Sequence, residues 1–414
     1  MEKNKRQQVP QLRFPGFEGA WEEKKVGNCT TKIGSGSTPR GGSEVYTDKG
    51  IPFIRSQNVV NNKLDFEKIA YIPKDIHARM KGSSVQALDI LLNITGASIG
   101  RTCVVPINFQ EGNVNQHVCI IRLKKTYSPF FLQAALSAFK GQKAIIRNQV
   151  GGSREGLNFQ SVRTLRFYLP SLPEQQKIAN CLTTIDTRIQ QLRRKVALLE
   201  DYKKGLMQQL FSQRLRFKDA AGQDFPEWEE KRLGDIASFS KGKGISKSEL
   251  DKDGKFQCII YGELYTRYNE MIDFVQSRTS IEAEKLVFSK ANDVLVPASG
   301  ETHLDIAKAS CVLKSNIALG GDINIIRSKT VGVFLAYYLN SSKREKIASL
   351  AQGSSVIHLY PTQLKSLKLQ LPSLPEQQKI ADCLSAIDRK IQLTQNQLAQ
   401  TEGFKKGLLQ QLFV

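Results

Sequence analysis

Leu169-Pro-Ser-Leu-Pro-Glu-Gln-Gln-Lys-Ile-Ala179 recurs letter for letter as Leu371 to Ala381, a shift of 202 residues. The match runs on through Cys181/Cys383, Ile185-Asp186/Ile387-Asp388 and Lys203-Lys204-Gly205-Leu206/Lys405-Lys406-Gly407-Leu408, and ends at Gln208–Phe211 and Gln410–Phe413. Upstream, Leu12-Arg13-Phe14 and Trp21-Glu22-Glu23-Lys24 return as Leu215-Arg216-Phe217 and Trp228-Glu229-Glu230-Lys231. A period this long rules out a solenoid, whose repeats run to tens of residues. The chain is a duplicated unit of one domain followed by one helix.

The prolines mark where each helix begins. Pro170 and Pro173 interrupt what precedes, Pro173 suits a first turn, and Glu174 meets the positive end of the dipole. Ile178, Leu182, Ile185, Ile189, Leu192, Val196, Leu199, Leu206 and Leu210 then keep a four-three spacing, interrupted by Lys203. This heptad stripe predicts a coiled-coil seam. The second copy keeps Ile380, Leu384, Ile387, Ile391, Leu398, Leu408 and Leu412 but puts Thr394, Thr401 and Lys405 in the seam. Each stripe is the natural mate of the other, in antiparallel pairing; the alternative is that each helix packs on its own domain. From Glu174 to Phe211 a helix would span about 57 Å at 1.5 Å per residue.

Between the helices the two copies agree in pattern more than in letters. Asp89-Ile-Leu-Leu and Asp293-Val-Leu-Val read as buried strands before polar turns at Thr95-Gly96 and Ser299-Gly300. Cys119-Ile-Ile-Arg122 and Asn324-Ile-Ile-Arg327 read as further strands, and Phe130 to Lys140 and Val333 to Ile347 as helices. The expected class is α+β, a mixed α/β architecture with a pseudo-twofold internal repeat. Its parts are a first domain over 1–170, a long helix over 171–212, a second domain over 213–372 and a long helix over 373–414. The two similar domains are separated by the two antiparallel helices.

The net charge of +21 suits a polyanionic partner. Residues 1–170 carry 25 Lys/Arg against 12 Asp/Glu, and residues 213–372 carry 23 against 19, so most of the attraction lies in the first domain. No run of 18 apolar residues points to a membrane span, and the polar, basic first ten residues do not read as a secretory signal. Seven scattered cysteines with no C-x-x-C pair argue against a disulfide framework or zinc site and fit reduced thiols in a cytoplasm. His77, His117, His303 and His358 lack ligand spacing, so no metal is assigned.

The doubled pattern Leu-Arg-Phe, Trp-Glu-Glu-Lys, variable domain, Leu-Pro-x-Leu-Pro-Glu-Gln and long helix resembles the specificity subunits of type I restriction–modification systems, over nearly the whole chain. The resemblance implies two target-recognition domains, each reading one half of a split double-stranded DNA target. It implies docking of two methyltransferase subunits on the helices, with two motor-nuclease subunits joining the complex. It places S-adenosylmethionine, ATP and magnesium on those partners, leaving this chain with no cofactor and no catalytic residue. It does not supply the bases read.

Loops at the strand ends are the candidates for DNA contact. In the first domain they are Lys32, Ser35, Ser37, Thr38 and Arg40 in a glycine-rich loop, and Arg55, Ser56, Gln57 and Asn58 after an apolar strand. Thr95, Ser98, Arg101, Asn115 and Gln116 with the adjoining His117, Arg147, Ser153 and Arg154 complete that set. In the second they are Lys241, Lys243, Tyr261, Glu263, Ser299, Glu301, Thr302, Ser354 and Ser355. Arg fits guanine, Gln and Asn fit adenine, and Glu can accept from cytosine; plain surface turns are the competing reading of each loop.

Two other functions fit less well. A stand-alone methyltransferase needs an Asn/Asp-Pro-Pro-Tyr/Phe motif, and the chain has no Pro-Pro pair. A nuclease could use Glu229-Glu-Lys231, but its duplicate Glu22-Glu-Lys24 gives the segment a structural look. A coiled-coil adaptor that binds only protein would leave the charge of the first domain without a purpose.

Overall fold

Ile90, Leu91, Leu92 and Asn93 are all buried, which a strand achieves only with both faces covered. This strand, Ile90–Asn93, lies between Val118–Leu123 and Thr102–Val104, and Thr30–Ser35 completes a four-stranded antiparallel sheet. Side chains alternate across it. Ile90, Leu92, Cys119 and Ile121 meet Leu132, Leu136 and Ile145 from two helices. Leu91, Val118 and Ile120 meet Ile54, Val85 and Val114 from a second, mixed sheet built of Ala70–Ile72, Ile51–Ile54, Gly112–Val114 and Ser84–Val85.

The computed structural model describes residues 9–150, 156–353 and 356–414. The chain divides into two units, Met1–Arg193 with Asn396–Val414 (unit 1), and Arg194–Gln395 (unit 2). Unit 2 repeats the layering internally. Asp293–Pro297 lies between Ser310–Val312 and Ile323–Ser328 in a five-stranded sheet. Val294, Val296 and Ile326 face the helix Gly332–Asn340, while Leu295, Ile323 and Ile325 face Ile259, Leu264 and Leu319. The expected mixed architecture and internal repeat are what the chain adopts.

Each central strand is tied to its neighbour by the same fork. Arg122 donates to Asp89 at 2.7 and 2.8 Å, and Arg327 donates to Asp293 at 2.7 and 2.6 Å. Both carboxylates are 1% exposed, so the bidentate bonds are what make their burial tolerable. The helices differ from expectation in one respect: each predicted helix is two. Pro129–Ser137 breaks at the extended Ala138 before Phe139–Arg147, and Gly332–Asn340 ends before Arg344–Leu350. Gly141 permits the first break, since a Cβ there would lie 2.0 Å from the Ala135 carbonyl oxygen.

The Trp-Glu-Glu-Lys segments are structural. Glu22–Lys25 pairs antiparallel with Arg166–Leu169, and Glu229–Arg232 pairs with Lys368–Leu371, joining the start of each domain to its end. The nuclease-like Glu229 and Lys231 pair with one another at 2.8 Å, and Glu230 pairs with Lys368.

The long helices run over Leu172–Phe211 and Leu374–Gln411. Every seam position named from the heptads is buried or half-buried. In unit 1, Ile178 and Leu182 share a cluster with Leu412; in unit 2, Leu206 and Leu210 share one with Ile380 and Leu384. Within each unit the start of one helix therefore lies beside the end of the other, which is antiparallel pairing. The polar seam residues have definite partners. Lys405 meets Asp186 at 2.6 Å, and its counterpart Lys203 meets Asp388 at 2.8 Å and Glu270 at 2.9 Å. Thr394, 2% exposed, donates to the Lys390 carbonyl one turn earlier.

The duplicated Pro-Glu-Gln forms a clasp at each helix start. Glu174 takes two bonds at 2.8 Å from Arg13, and Glu376 takes bonds at 3.2 and 2.9 Å from Arg216. Glu376 also accepts from the Trp228 indole at 3.2 Å. Gln175 accepts from the Ser128 amide and donates to the Pro170 carbonyl; Gln377 does the same with Val331 and Pro372. Each glutamine thus satisfies an amide at the start of a domain helix and fastens the long helix to its domain.

Candidate DNA-reading surfaces

In unit 1 the glycine-rich loop leaves the sheet at Gly36, where a Cβ would lie 1.6 Å from the Val114 carbonyl oxygen. Only glycine allows this approach, which brings the Gly36 amide to the Asn115 carbonyl at 3.2 Å. Residues from three loops then join in one chain of hydrogen bonds. Thr38 donates to Gln116 Oε1 at 2.7 Å, Gln116 Nε2 donates to His117 Nε2 at 3.1 Å, and His117 Nδ1 lies 2.5 Å from Thr95 Oγ1. A glutamine nitrogen can only donate, so His117 accepts at Nε2 and carries its proton on Nδ1. Gln116 is exposed and keeps a second N–H and a second lone pair for a ligand.

A fourth loop joins through Asn93, which donates to the Ser56 carbonyl at 2.9 Å and to Ser98 Oγ at 3.0 Å. Ser37, Arg40, Gln57, Arg101 and Arg147 are exposed, with no side-chain partner among the described residues. Arg55 donates to the Lys68 carbonyl at 3.1 Å, and its guanidinium carbon sits 5.6 Å from the Tyr46 ring centroid.

Several candidates serve the scaffold instead. Asn58 is 1% exposed; it accepts from the Arg55 amide and donates to the Asp65 carbonyl, so both ends of its side chain are used by its own loop. Asn115 is 8% exposed and accepts from the His117 amide. Lys32 donates to the Ser84 carbonyl, with its pKa lowered by burial and then by Arg122. Ser35 donates weakly to the Gly36 carbonyl. Ser153 and Arg154 lie outside the described residues, as do Ser354 and Ser355 in the second copy.

Unit 2 uses the same strand ends with different chemistry. Gly242 repeats the close approach, its Cβ position lying 1.9 Å from the Gly320 carbonyl oxygen. Lys241 Nζ lies 5.6 Å from the Tyr360 ring centroid, Tyr360 stacks on His358 at 6.2 Å, and His358 Nδ1 lies 3.1 Å from Ser299 Oγ. Tyr261 and Tyr265 sit 6.4 Å apart, and the Tyr265 hydroxyl pKa is raised by burial, then by Tyr261, Glu301 and Asp305. Lys243 and Glu301 are exposed.

Glu263 is reassigned. It is 7% exposed and accepts from the Ile260 amide, Arg267 and Ser277, so it caps a helix rather than facing a base. Thr302 likewise caps His303–Ile306 by accepting from the Asp305 amide. His117 closes the candidate stretch Asn115-Gln-His117, whereas His358 and Tyr360 do not stand out in the sequence as contact residues. His358 enters the sequence reading only through its lack of metal-ligand spacing, and nothing local marks Tyr360.

The described residues hold no cluster of three or more His, Cys, Asp or Glu side chains that could bind a metal. All seven cysteines are free thiols, and burial pushes Cys119 and Cys311 up to about 12, the reverse of an activated nucleophile.

The comparisons agree with this architecture. The sequence profile of the type I restriction modification DNA specificity domain matches twice, at residues 18–200 and 226–402. The type I restriction enzyme MjaIX specificity subunit of Methanocaldococcus jannaschii is 21% identical over 422 residues, covering 95% of this chain and 92% of that one. The type I restriction enzyme StySPI specificity subunit of Salmonella potsdam is 22% identical, over 87% and 80%. In fold, the S subunit of a type I restriction-modification system from M. genitalium superposes with a TM-score of 0.63 at 16% identity, over 98% and 99% of the two chains. With both matched stretches together spanning most of its length, the chain belongs to the type I restriction modification DNA specificity family.

Proposed function

We propose that this chain is the DNA-specificity subunit of a type I restriction–modification complex and reads a bipartite target, one half with each domain. The observation that carries this reading is a single scaffold presenting two unlike surfaces. In unit 1 the strand ends hold amide, hydroxyl and imidazole groups beside exposed arginines; in unit 2 they hold stacked aromatics beside lysines. Exposed amide side chains such as Gln116 contact base edges, and exposed cations such as Arg40 and Arg101 hold the register on phosphates.

The chain recognises and does not catalyse. S-adenosylmethionine, ATP and magnesium belong to its partners: two methyltransferase subunits and two motor-nuclease subunits. The outer helix faces, where Leu198, Tyr202, Leu393 and Phe404 are exposed, suit methyltransferase docking. The complex works in the cytoplasm. That agrees with free thiols, and no helix among the described residues is long and apolar enough to cross a membrane.

Co-expression with the cognate methyltransferase subunit, followed by sequencing of the modified bases, tests the reading. One methylated motif with an unread gap is expected. A continuous short motif would contradict two separate readers.

A further inference from the structure

The internal repeat lets one unit show what is missing from the other. In unit 2, Tyr337 on the helix Gly332–Asn340 donates to Asp388 at 2.5 Å, and Lys203 Nζ lies 5.0 Å from its ring centroid. Unit 1 keeps the equivalent pair, Asp186 and Lys405. It also keeps the helix, as Pro129–Ser137.

Two sets of contacts fix how the two helices correspond. Phe131 and Phe334 each lie edge-on to a tryptophan, Trp21 at 5.7 Å and Trp228 at 6.2 Å. The amides of Ser128 and Val331 each donate to the clasp glutamine. On this register Ala134 stands where the other copy has Tyr337.

The ring is not replaced by another side chain. A cavity of about 250 Å³ remains, lined among others by Ala134, Gln133, Ser137, Leu182, Asp186 and Lys405. That is the space of roughly eight waters at about 30 Å³ each, ample for a phenol. It has an apolar wall, a carboxylate able to accept from a hydroxyl, and an ammonium placed to face a ring.

We propose that this cavity in unit 1 is a receptor for a tyrosine side chain presented by a protein partner, which would repeat there the contacts that Tyr337 makes in unit 2. The cavity shares Asn62, Lys63, Leu64, Asp186 and Lys405 with a neighbouring cleft of about 540 Å³. A deep pocket beside a longer, polar cleft suits a peptide segment with one anchoring ring, and the charges in that cleft (Asp65, Glu67, Arg193 and Glu402) suit its polar flanks. The inference stands on the repeat and is independent of which DNA bases are read.

The test uses the full chain with N-acetyl-L-tyrosinamide, its phenylalanine analogue and p-cresol as probes, followed by NMR titration. Both hydroxyl-bearing probes are expected to bind wild-type protein, and the phenylalanine analogue at least threefold more weakly. Asp186→Asn should reduce that preference, and Ala134→Tyr should abolish binding by filling the space. In unit 2, Tyr337→Ala should open a matching cavity, and p-cresol should raise the melting temperature of that variant more than it raises that of the wild type. Absence of binding to the wild type, or binding undiminished in a folded Ala134→Tyr variant, overturns the proposal. Binding of p-cresol without the capped tyrosine also overturns it, because the cavity would then admit only small free phenols. Should Ala134→Tyr fail to fold, the Asp186→Asn titration decides: an unchanged hydroxyl preference rejects the assignment.

Discussion

Replacing Glu376 with alanine should destabilise unit 2 more than replacing Glu174 destabilises unit 1, although the two glutamates occupy the same place in the repeat. Glu376 is 0% exposed and accepts two bonds from Arg216 and one from Trp228. Each bond to a charged group contributes about 1.5–3 kcal/mol, and a buried donor left without an acceptor costs about 1–3 kcal/mol. Arg216 would keep the carbonyls of Phe225 and Pro226, so its charge is not stranded and the low end of the first range applies. The expected loss is about 3–5 kcal/mol, the usual range for breaking a buried pair. At Glu174 the Arg13 fork is the same, but Trp21 Nε1 already has no acceptor among the described residues. Glu174→Ala should therefore cost about 1–2 kcal/mol less, the contribution of the indole bond.

The assay is built into the sequence. The only two tryptophans stand one in each clasp, so urea unfolding followed by fluorescence in Trp21→Phe and Trp228→Phe backgrounds reports the units separately. Equal losses in the two units, or an unchanged midpoint for Glu376→Ala, would refute the reasoning.

Gly36→Ala should disable the first surface alone. Its Cβ would lie 1.6 Å from the Val114 oxygen and 2.8 Å from Ser83 Cβ, so the loop must shift at a cost of about 1–3 kcal/mol. Gel-shift measurements should show loss of discrimination in one half-site, and loss in both halves would count against it. Arg40→Ala and Arg101→Ala should each lower the slope of log affinity against log salt by about 0.9, since each exposed cation neutralises one phosphate. Unaltered slopes would remove these arginines from the phosphate contacts. In unit 2 burial opposes both charges of the Lys203–Glu270 pair, yet their attraction prevails, raising the lysine pKa and lowering the glutamate pKa. The lowered glutamate contributes stability above its ordinary 4.5 that is lost as pH falls through its folded value. The raised lysine contributes stability below its ordinary 10.5 that is lost as pH rises through its folded value. Lys203→Met should lower unit 2 stability near neutral pH and flatten both limbs; a pH series of Trp228-detected unfolding with unaltered limbs would contradict this.

The seam was legible because heptad spacing is a direct consequence of helix geometry, and Ile178 through Leu210 needed nothing else. Lys203 and Lys405 looked like interruptions because their partners, Asp388 and Asp186, lie far away in sequence. The repeat of Pro-Glu-Gln was plain, yet its purpose was not. Local sequence does not show that a helix-start glutamate lies buried beneath an arginine some 160 residues distant. The candidate loops do lie at strand ends, but polarity alone does not say which way an amide turns. Asn58 and Glu263 use their side chains on their own loops, while Gln116 is held facing out by Thr38 and His117. The break at Ala138 was missed because both flanking stretches are good helix formers and the reversal depends on room at Gly141.

The most direct test of two independent readers on one scaffold is an exchange of residues 15–168 for the first domain of another family member, followed by sequencing of the methylated motif. One half of the motif should change to that of the donor while the other half stays as it was. A change in both halves, or in neither, would contradict the account.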